Sequence, residues 1–513
     1  MQFHNSYQAG VPSTSVWVSI LFILVLITAF NLGPFLAATL FLVIAFIIAK
    51  ISIQKSLLTP VQLVVFAYVL AFPTVILLPD YIQYSERFAP PPEALAKGML
   101  WALRGFAMFA LGYALINQRK GVKQDPTRVR SNSFFSQRTA HAIYITKWLG
   151  ILAGVGWTIL VVMKGGITMP GVTAHLGKTV PTNIETSTVE QILNLLTNLR
   201  YPFFSMFLIL KYYKQTNRSL TLLFSFLLTV SIIEFMVSGS KGDLIRILVS
   251  VFLAISLLPV RIGVGKILLA LATLVIISTT FSVVTEYRSI MDKEFKRRAA
   301  ISSFSVQLSS FQLAFSRTLG LSDSDKLQTD VSSEDIASRF AAPMFSFTNL
   351  LRFTNGQSPY EYAWQSFLVP LYSILPRALA PGKPTFFNSG RNAQEYYGWV
   401  RGGVSVSMPG SLFFAWGYAG ILFGMFFLGC LLAYVMKYVN RQDINSVYWT
   451  IILMTLVMQL IATGVTFQSA TTNVIRVILL VWLLHVLYSK VQRRKQQRKK
   501  LQFTISNSRS ARV

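Results

Sequence analysis

Acids, cysteine and histidine are all scarce in this chain of 513 residues, and each shortage removes a class of function. A single cysteine, Cys430, excludes any disulfide within one molecule and any cysteine-based metal site. Four histidines leave little from which to build a metal cluster, so neither a metal nor a cofactor is expected. Nineteen acids against 47 lysines and arginines give a net charge of +28. Charged residues of both signs make up only 13%, against 53% hydrophobic, and mean hydropathy is +0.53. A soluble chain of this length could not hide so much apolar surface behind so few charges.

Apolar runs long enough to cross a bilayer, about 18 to 22 residues, recur along the whole chain. They predict an all-α polytopic membrane protein with about twelve transmembrane helices, at 15–31, 34–51, 61–79, 95–116, 143–163, 193–211, 219–237, 244–260, 267–285, 411–436, 447–465 and 473–489. The first run lacks a basic start and a small-residue cleavage site, so it reads as a retained helix, not a signal peptide. The organisation that follows is spans 1–9 over 1–285, a large outer loop over 286–410 between spans 9 and 10, spans 10–12 over 411–489, and a basic tail over 490–513.

Orientation follows from where the cations gather. The connection 117–141 carries Arg119, Lys120, Lys123, Arg128, Arg130 and Arg138, and the tail carries Lys490, Arg493, Arg494, Lys495, Arg498, Lys499 and Lys500. Shorter basic turns hold Lys211, Lys214 and Arg218, then Arg261 and Lys266, then Lys437 and Arg441. With twelve spans all five fall on one side, which predicts a multi-pass protein of the cell (inner) membrane with both termini cytoplasmic. The tail abuts a span and has no interleaved aromatics, so its expected partner is the anionic lipid bilayer, not nucleic acid.

The outer loop holds ten of the nineteen acids. Within it, "SSEDIASRFAAPMFSFTNLLRF" opens with serine and acids and predicts a capped, partly amphipathic helix. "WQSFLVPLYSILP", 364–376, is too short to span and reads as re-entrant or interfacial. The stretch that follows, "LPRALAPGKPTFFNSGR", runs on to Arg401. Between 377 and 401, four cations (Arg377, Lys383, Arg391 and Arg401) meet one acid, Glu395. Cations on the outer face are not needed for orientation. They suit either lipid phosphate and distant acids, or a site for an anionic ligand, because arginine forks onto phosphate oxygens and stays charged.

On the same outer face, "VSGSKGDLIRIL" joins spans 7 and 8. Its glycines turn the chain into a helix start, and Lys241 and Arg246 add charge beside Asp243. Three ionisable residues fall inside predicted spans: Arg104, Glu234 and Arg476. Ionisable groups at that depth either pair or face a wet cavity. For Arg104 the alternatives are a structural pair with Glu234 or a ligand role; for Arg476, snorkelling is the simpler account. Outer aromatics such as Trp364, Tyr396 and Trp399 suit an interfacial belt, or stacking on sugar rings.

Twelve spans, a late outer loop, the "GSKG" turn, "PRALAPGKP" and the glycine-punctuated "SMPGSLFFAWGYAGILFGMFFLG" together resemble the Wzy-type polymerases of O-antigen and exopolysaccharide repeat units. These are relatives of the O-antigen ligases. In "RNAQEYYGWVRG", Arg391 and Gly402 match a loose arginine-to-glycine spacing of some members. The chain departs from the pattern in holding Lys241 where arginine is frequent, and in having no histidine within 286–410, which leans against a ligase. The resemblance implies a metal-independent glycosyltransferase acting on undecaprenyl-pyrophosphate-linked oligosaccharide, with a chain-length regulator and a flippase as pathway partners. It makes Arg377, Arg391 and Arg401 the expected pyrophosphate ligands, with Lys383, Lys241, Arg246 and Arg104 assisting. Glu395 is the expected base, ahead of His175 and Asp243. A flippase for lipid-linked oligosaccharide is the alternative of a different class.

Overall fold

The computed structural model describes residues 14–52, 59–77, 90–118, 139–163, 188–238, 241–258, 304–318, 333–355, 407–439, 446–462 and 467–510, with single positions at 279, 283, 286, 287 and 290. These residues are helical, and among them no strand occurs. In chain order the helices are α1 (Thr14–Ile27), α2 (Pro34–Ser52), α3 (Pro60–Ala71), α4 (Thr74–Leu77), α5 (Pro92–Gln118), α6 (Thr139–Met163), α7 (Thr188–Asn198), α8 (Arg200–Tyr212), α9 (Arg218–Ser238), α10 (Lys241–Leu257), α11 (Phe304–Thr318), α12 (Ser333–Phe353), α13 (Met408–Val439), α14 (Ser446–Ile461) and α15 (Phe467–Ser510). Six helical stretches are long and apolar enough to cross a membrane: 34–52, 92–117, 140–163, 192–212, 408–439 and 467–490. Shorter apolar helices lie at 16–27, 60–71, 245–257 and 447–461. The expected span 267–285 lies outside the described residues apart from two positions.

Helix starts follow local chemistry. Thr59 accepts from the Gln62 amide at 3.3 Å while its own amide donates to Gln62 Oε1 at 2.7 Å, and Pro60 needs no donor there. Asn217 Oδ1 caps α9 through the Leu220 amide at 2.9 Å. Asn355, with φ of 49°, closes α12 in the left-handed region that asparagine tolerates.

The largest helix–helix interface joins α5 to α13. Glycines at 98, 105 and 112 recur every seven residues along one face of α5. A Cβ on Gly112 would overlap the Phe426 carbonyl, and one on Gly429 would overlap the Phe109 carbonyl. Backbones that approach this closely suit helix association where lipid tails remove the hydrophobic drive. Contacts ascend together along both helices, Gly105 with Ile421 and Tyr113 with Met436, so α5 and α13 are parallel. Beside them Phe41, Tyr68, Phe72, Phe106 and Phe109 form a stacked core, with Phe41 and Phe106 centroids 4.2 Å apart.

The run expected as one span at 411–436 carries an internal break. At Trp416 and Gly417 the helix breaks, and Gly417 takes φ of 67°, open to glycine without strain. Leu412 packs against Gly420 and Gly424, positions that an unbroken helix would hold about 12 and 18 Å away. The arm 408–415 therefore doubles back on 418–439, and every residue of the arm is buried.

Helix directions sort the connections. Tyr448 of α14 meets His141 of α6 and His485 of α15, while Gln459 meets Asn473, so α14 and α15 are antiparallel. Tyr438 stacks on Trp449, which ties the end of α13 to the start of α14. Gly150 faces Phe203 of α8 and Gly156 faces Leu196 of α7, so α7 and α8 run against α6; Arg246 over Tyr201 and Ser205 bonding the Ser250 carbonyl set α10 parallel to α8. The basic stretches 117–141, 211–218, 261–266 and 437–441 thus each adjoin a helix end at the His141 end of the bundle, and α15 leaves the bundle at the same end. The tail itself is no loop, because α15 continues as helix to Ser510.

Candidate functional site

The opposite end of the bundle gathers the start of α5, the second half of α12, the doubled-back arm of α13, the end of α14, and the starts of α8, α10 and α15. Asn355 and Ser407, which flank the stretch 356–406, belong to helices packed at this end. Arg377, Lys383, Arg391, Glu395 and Arg401 lie outside the described residues, as do His175 and the segment 364–376. The Lys241 and Asp243 side chains are likewise outside them; their backbone opens α10. Arg104 and Arg246 are described, and each is held by a specific set of groups.

Arg104 sits on α5 against the C-terminus of α1. Its Nε donates to the Thr28 carbonyl at 2.8 Å, and Nη2 to Ala29 and Phe30 at 3.1 and 3.3 Å. A helix end leaves carbonyls without intrahelical donors and carries a partial negative charge, so one guanidinium answers both needs. Of the two alternatives for Arg104, the structural pair with Glu234 is not formed. The guanidinium also lies 4.6 Å from the Trp101 ring centroid, and Tyr418, just past the α13 break, stacks on Trp101 at 3.9 Å. The Tyr418 hydroxyl is buried without a partner among the described residues.

Glu234 pairs instead with Arg200, the first residue of α8, through Nη1 and Oε2. Arg200 is 3% exposed, Glu234 partly exposed. Their neighbour Tyr201 organises the group: its hydroxyl accepts from Arg200 Nη2 at 3.1 Å, and the Arg200 and Arg246 guanidiniums lie 5.1 and 5.8 Å from its ring. Two cations and one carboxylate thus meet where α8, α9 and α10 converge. Arg200 was not among the residues singled out from sequence. Its signal was there: a cation inside the apolar run 193–211, one helix before an acid inside 219–237. The chain breaks at Leu199 between α7 and α8, so Arg200 opens a helix.

At the His141 end two histidines and two tyrosines meet. The Tyr448 hydroxyl bonds His141 Nε2 and, at 2.6 Å, His485 Nδ1, with the Tyr488 ring 4.1 Å from His141. Among the described residues no cluster of metal-ligating side chains occurs. The arrangement at the arginine end can hold an anion; the one at the histidine end joins three helices. Comparison with protein-family models, with curated proteins and with solved structures finds no match, so the function of this chain is argued from its own residues.

Proposed function

We propose that the protein is a membrane glycosyltransferase that polymerises undecaprenyl-pyrophosphate-linked oligosaccharide repeat units at the outer face of the cytoplasmic membrane. The observation that carries this reading is the meeting of Arg200 and Arg246 around Tyr201 at the end of the bundle from which the chain runs into 356–406. Within that stretch, 377–401 brings four further cations against one acid, Glu395. On this reading the His141 end is cytoplasmic, both termini are inside, twelve spans are made, and 286–410 is the outer loop.

The chemistry asks for little beyond placed charge. The acceptor hydroxyl attacks the anomeric carbon of the growing glycan, the bond from that carbon to the pyrophosphate oxygen breaks, and the hydroxyl proton passes to Glu395. Undecaprenyl pyrophosphate leaves carrying the electron pair. Its negative charge grows as the bond breaks, so cations already held in place stabilise the transition state more than the ground state. Arg377, Arg391 and Arg401 take that role, with Arg246, Lys241 and Lys383 beside them. Arg104 spends three bonds on α1 and contributes positive potential.

In a deletion strain, Arg377→Ala, Arg391→Ala and Arg401→Ala are each expected to abolish long polymer and leave single repeat units at the surface. Unchanged chain length in all three sinks the reading. One observation favours a second reading, a flippase: the break at Trp416–Gly417, since interrupted helices line the substrate sites of many carriers. A flippase predicts loss of all surface sugar, with lipid-linked units trapped inside.

A further inference from the structure

Glycine contacts on α6 fix a common scale along the helices around it. A Cβ on Gly150 would meet Phe203 of α8 and Leu223 of α9, and one on Gly154 would meet Phe226 and Leu227. Helix α9 therefore runs parallel to α6 and turns its Leu223–Leu227 face toward it. Trp157 follows Gly150 by seven residues, which sets it two turns along on the same face of α6. Its ring meets Phe226 edge-on, with centroids 6.5 Å apart. Glu234 follows Leu227 by the same interval, so it shares the α9 face turned toward α6. From the other side, Gly156 packs against Leu196 and the Thr197 amide of α7. Trp157, Thr197 and Glu234 thus converge within about a turn of one another, where Glu234 already pairs with Arg200. The level is shallow: α6 ends less than two turns beyond Trp157, and α9 about one turn beyond Glu234.

Each of the three keeps a polar atom that the packing does not use. Trp157 Nε1 and the Thr197 hydroxyl are buried with no partner among the described residues, and Thr197 is 5% exposed. Glu234 gives Oε2 to Arg200, while its Oε1 has no partner among the described residues and its side chain stays 23% exposed. Buried donors and acceptors are nearly always paired, so such a group points to a guest, either water or a ligand. The chemistry of the set is mixed. The indole only donates, the carboxylate only accepts, and the hydroxyl does both. A bare anion would meet the carboxylate and be repelled by it. Sugar hydroxyls, which both donate and accept, answer all three groups. Cations lie alongside, because Arg246 is exposed and its guanidinium sits over Tyr201, the neighbour of Arg200.

We propose that Trp157, Thr197 and Glu234 form a subsite for the sugar joined directly to the lipid pyrophosphate. The inference rests on the polymerase reading for the identity of that lipid, and it adds the residues that choose the sugar. With the pyrophosphate at the cations, the attached ring reaches the groove between α6, α7 and α9. There one hydroxyl donates to Glu234 Oε1, another accepts from the indole, and Thr197 bonds in either sense. A sugar that lacks a hydroxyl at one of these points leaves a buried group unpaired, which is how such sites discriminate. The subsite binds and selects; the proton transfer stays with Glu395.

A competition assay on full-length protein in phosphatidylcholine nanodiscs tests the proposal. Radiolabelled undecaprenyl pyrophosphate is bound first. Unlabelled undecaprenyl pyrophosphates carrying glucose, galactose or their N-acetylamino forms then compete with the unlabelled bare lipid to displace it. At least one sugar-bearing lipid is expected to displace the label about tenfold better than the bare lipid. Thr197→Val, which keeps the shape and removes the hydroxyl, should lower that preference about fivefold, and Trp157→Phe by a similar factor. Binding of the bare lipid should be unchanged in both, which a merely structural role would not produce. Equal displacement by every lipid, or a sugar preference unaltered in both variants, leaves the three groups to water and overturns the subsite. Loss of the bare lipid together with the sugar-bearing ones overturns it as well. A preference that falls in both variants, in a protein that makes no polymer in cells, sinks the polymerase reading and leaves the subsite standing.

Discussion

The two ends of the bundle treat buried polar groups in opposite ways. At the end where the basic stretches gather, two of the four histidines in the chain close on one tyrosine hydroxyl, and three helices are pinned together. There two rings share one hydroxyl, while the buried Nδ1 of His141 has no partner among the described residues. At the other end the buried groups are arginines, which keep their charge in any surroundings. Arg104 is answered by helix-end carbonyls, and Arg200 by Glu234 and a tyrosine. Such partners make burial tolerable, yet positive potential persists where Arg246 shares the same ring. One end joins its helices through uncharged side chains, and the other keeps positive charge inside the bundle.

The sharpest way to break this comparison is Glu234→Ala. It leaves the Arg200 charge buried without its carboxylate and is expected to cost about 3–5 kcal/mol, read as a lowered unfolding temperature in detergent. Replacing Arg200 and Glu234 together with methionine should recover most of that loss. A silent Glu234→Ala would remove the buried pair from the account. Next comes Arg104→Leu, which strips donors from three carbonyls at the end of α1. A loss of about 1–3 kcal/mol is expected by the same measurement, with Arg104→Lys restoring only part of it.

Tyr448→Phe sharpens the contrast from the other side. Removing the shared hydroxyl should cost about 1–2 kcal/mol and leave polymer length unaltered, since this network lies far from the arginine end. Shortened polymer in a stably folded Tyr448→Phe would show that the histidine end takes part in function. The smallest stability change is expected for Arg246→Gln. Arg246 is exposed, so the loss should stay within about 0.5 kcal/mol, while polymer length falls. An Arg246→Gln protein that polymerises normally would separate the Tyr201 cluster from the reaction.

Much of this could be read before any helix was placed. The length of the apolar runs located most of the helices, and the clustering of cations anticipated that the helix ends beside them would share one end of the bundle. Gly98, Gly105 and Gly112 announce a face by their spacing alone. What they touch does not follow from spacing, because a glycine stripe is silent about its partner. The same limit applied to Arg104. Its depth was evident and left a pair with Glu234 or a ligand role open, and only the packed bundle put the carbonyls of Thr28, Ala29 and Phe30 beside it.

The amino-acid sequence by itself determined the helical class, the apolar lengths and the asymmetry of charge, because each is a sum over neighbours along the chain. The tertiary structure alone decided which buried charges pair, and where the α13 run turns back. Five glycines lie between 410 and 429, and any could have adopted left-handed backbone. Only Gly417 does so among those described, because folding Leu412 onto Gly420 and Gly424 buries the arm 408–415 against helices that lie far away in sequence.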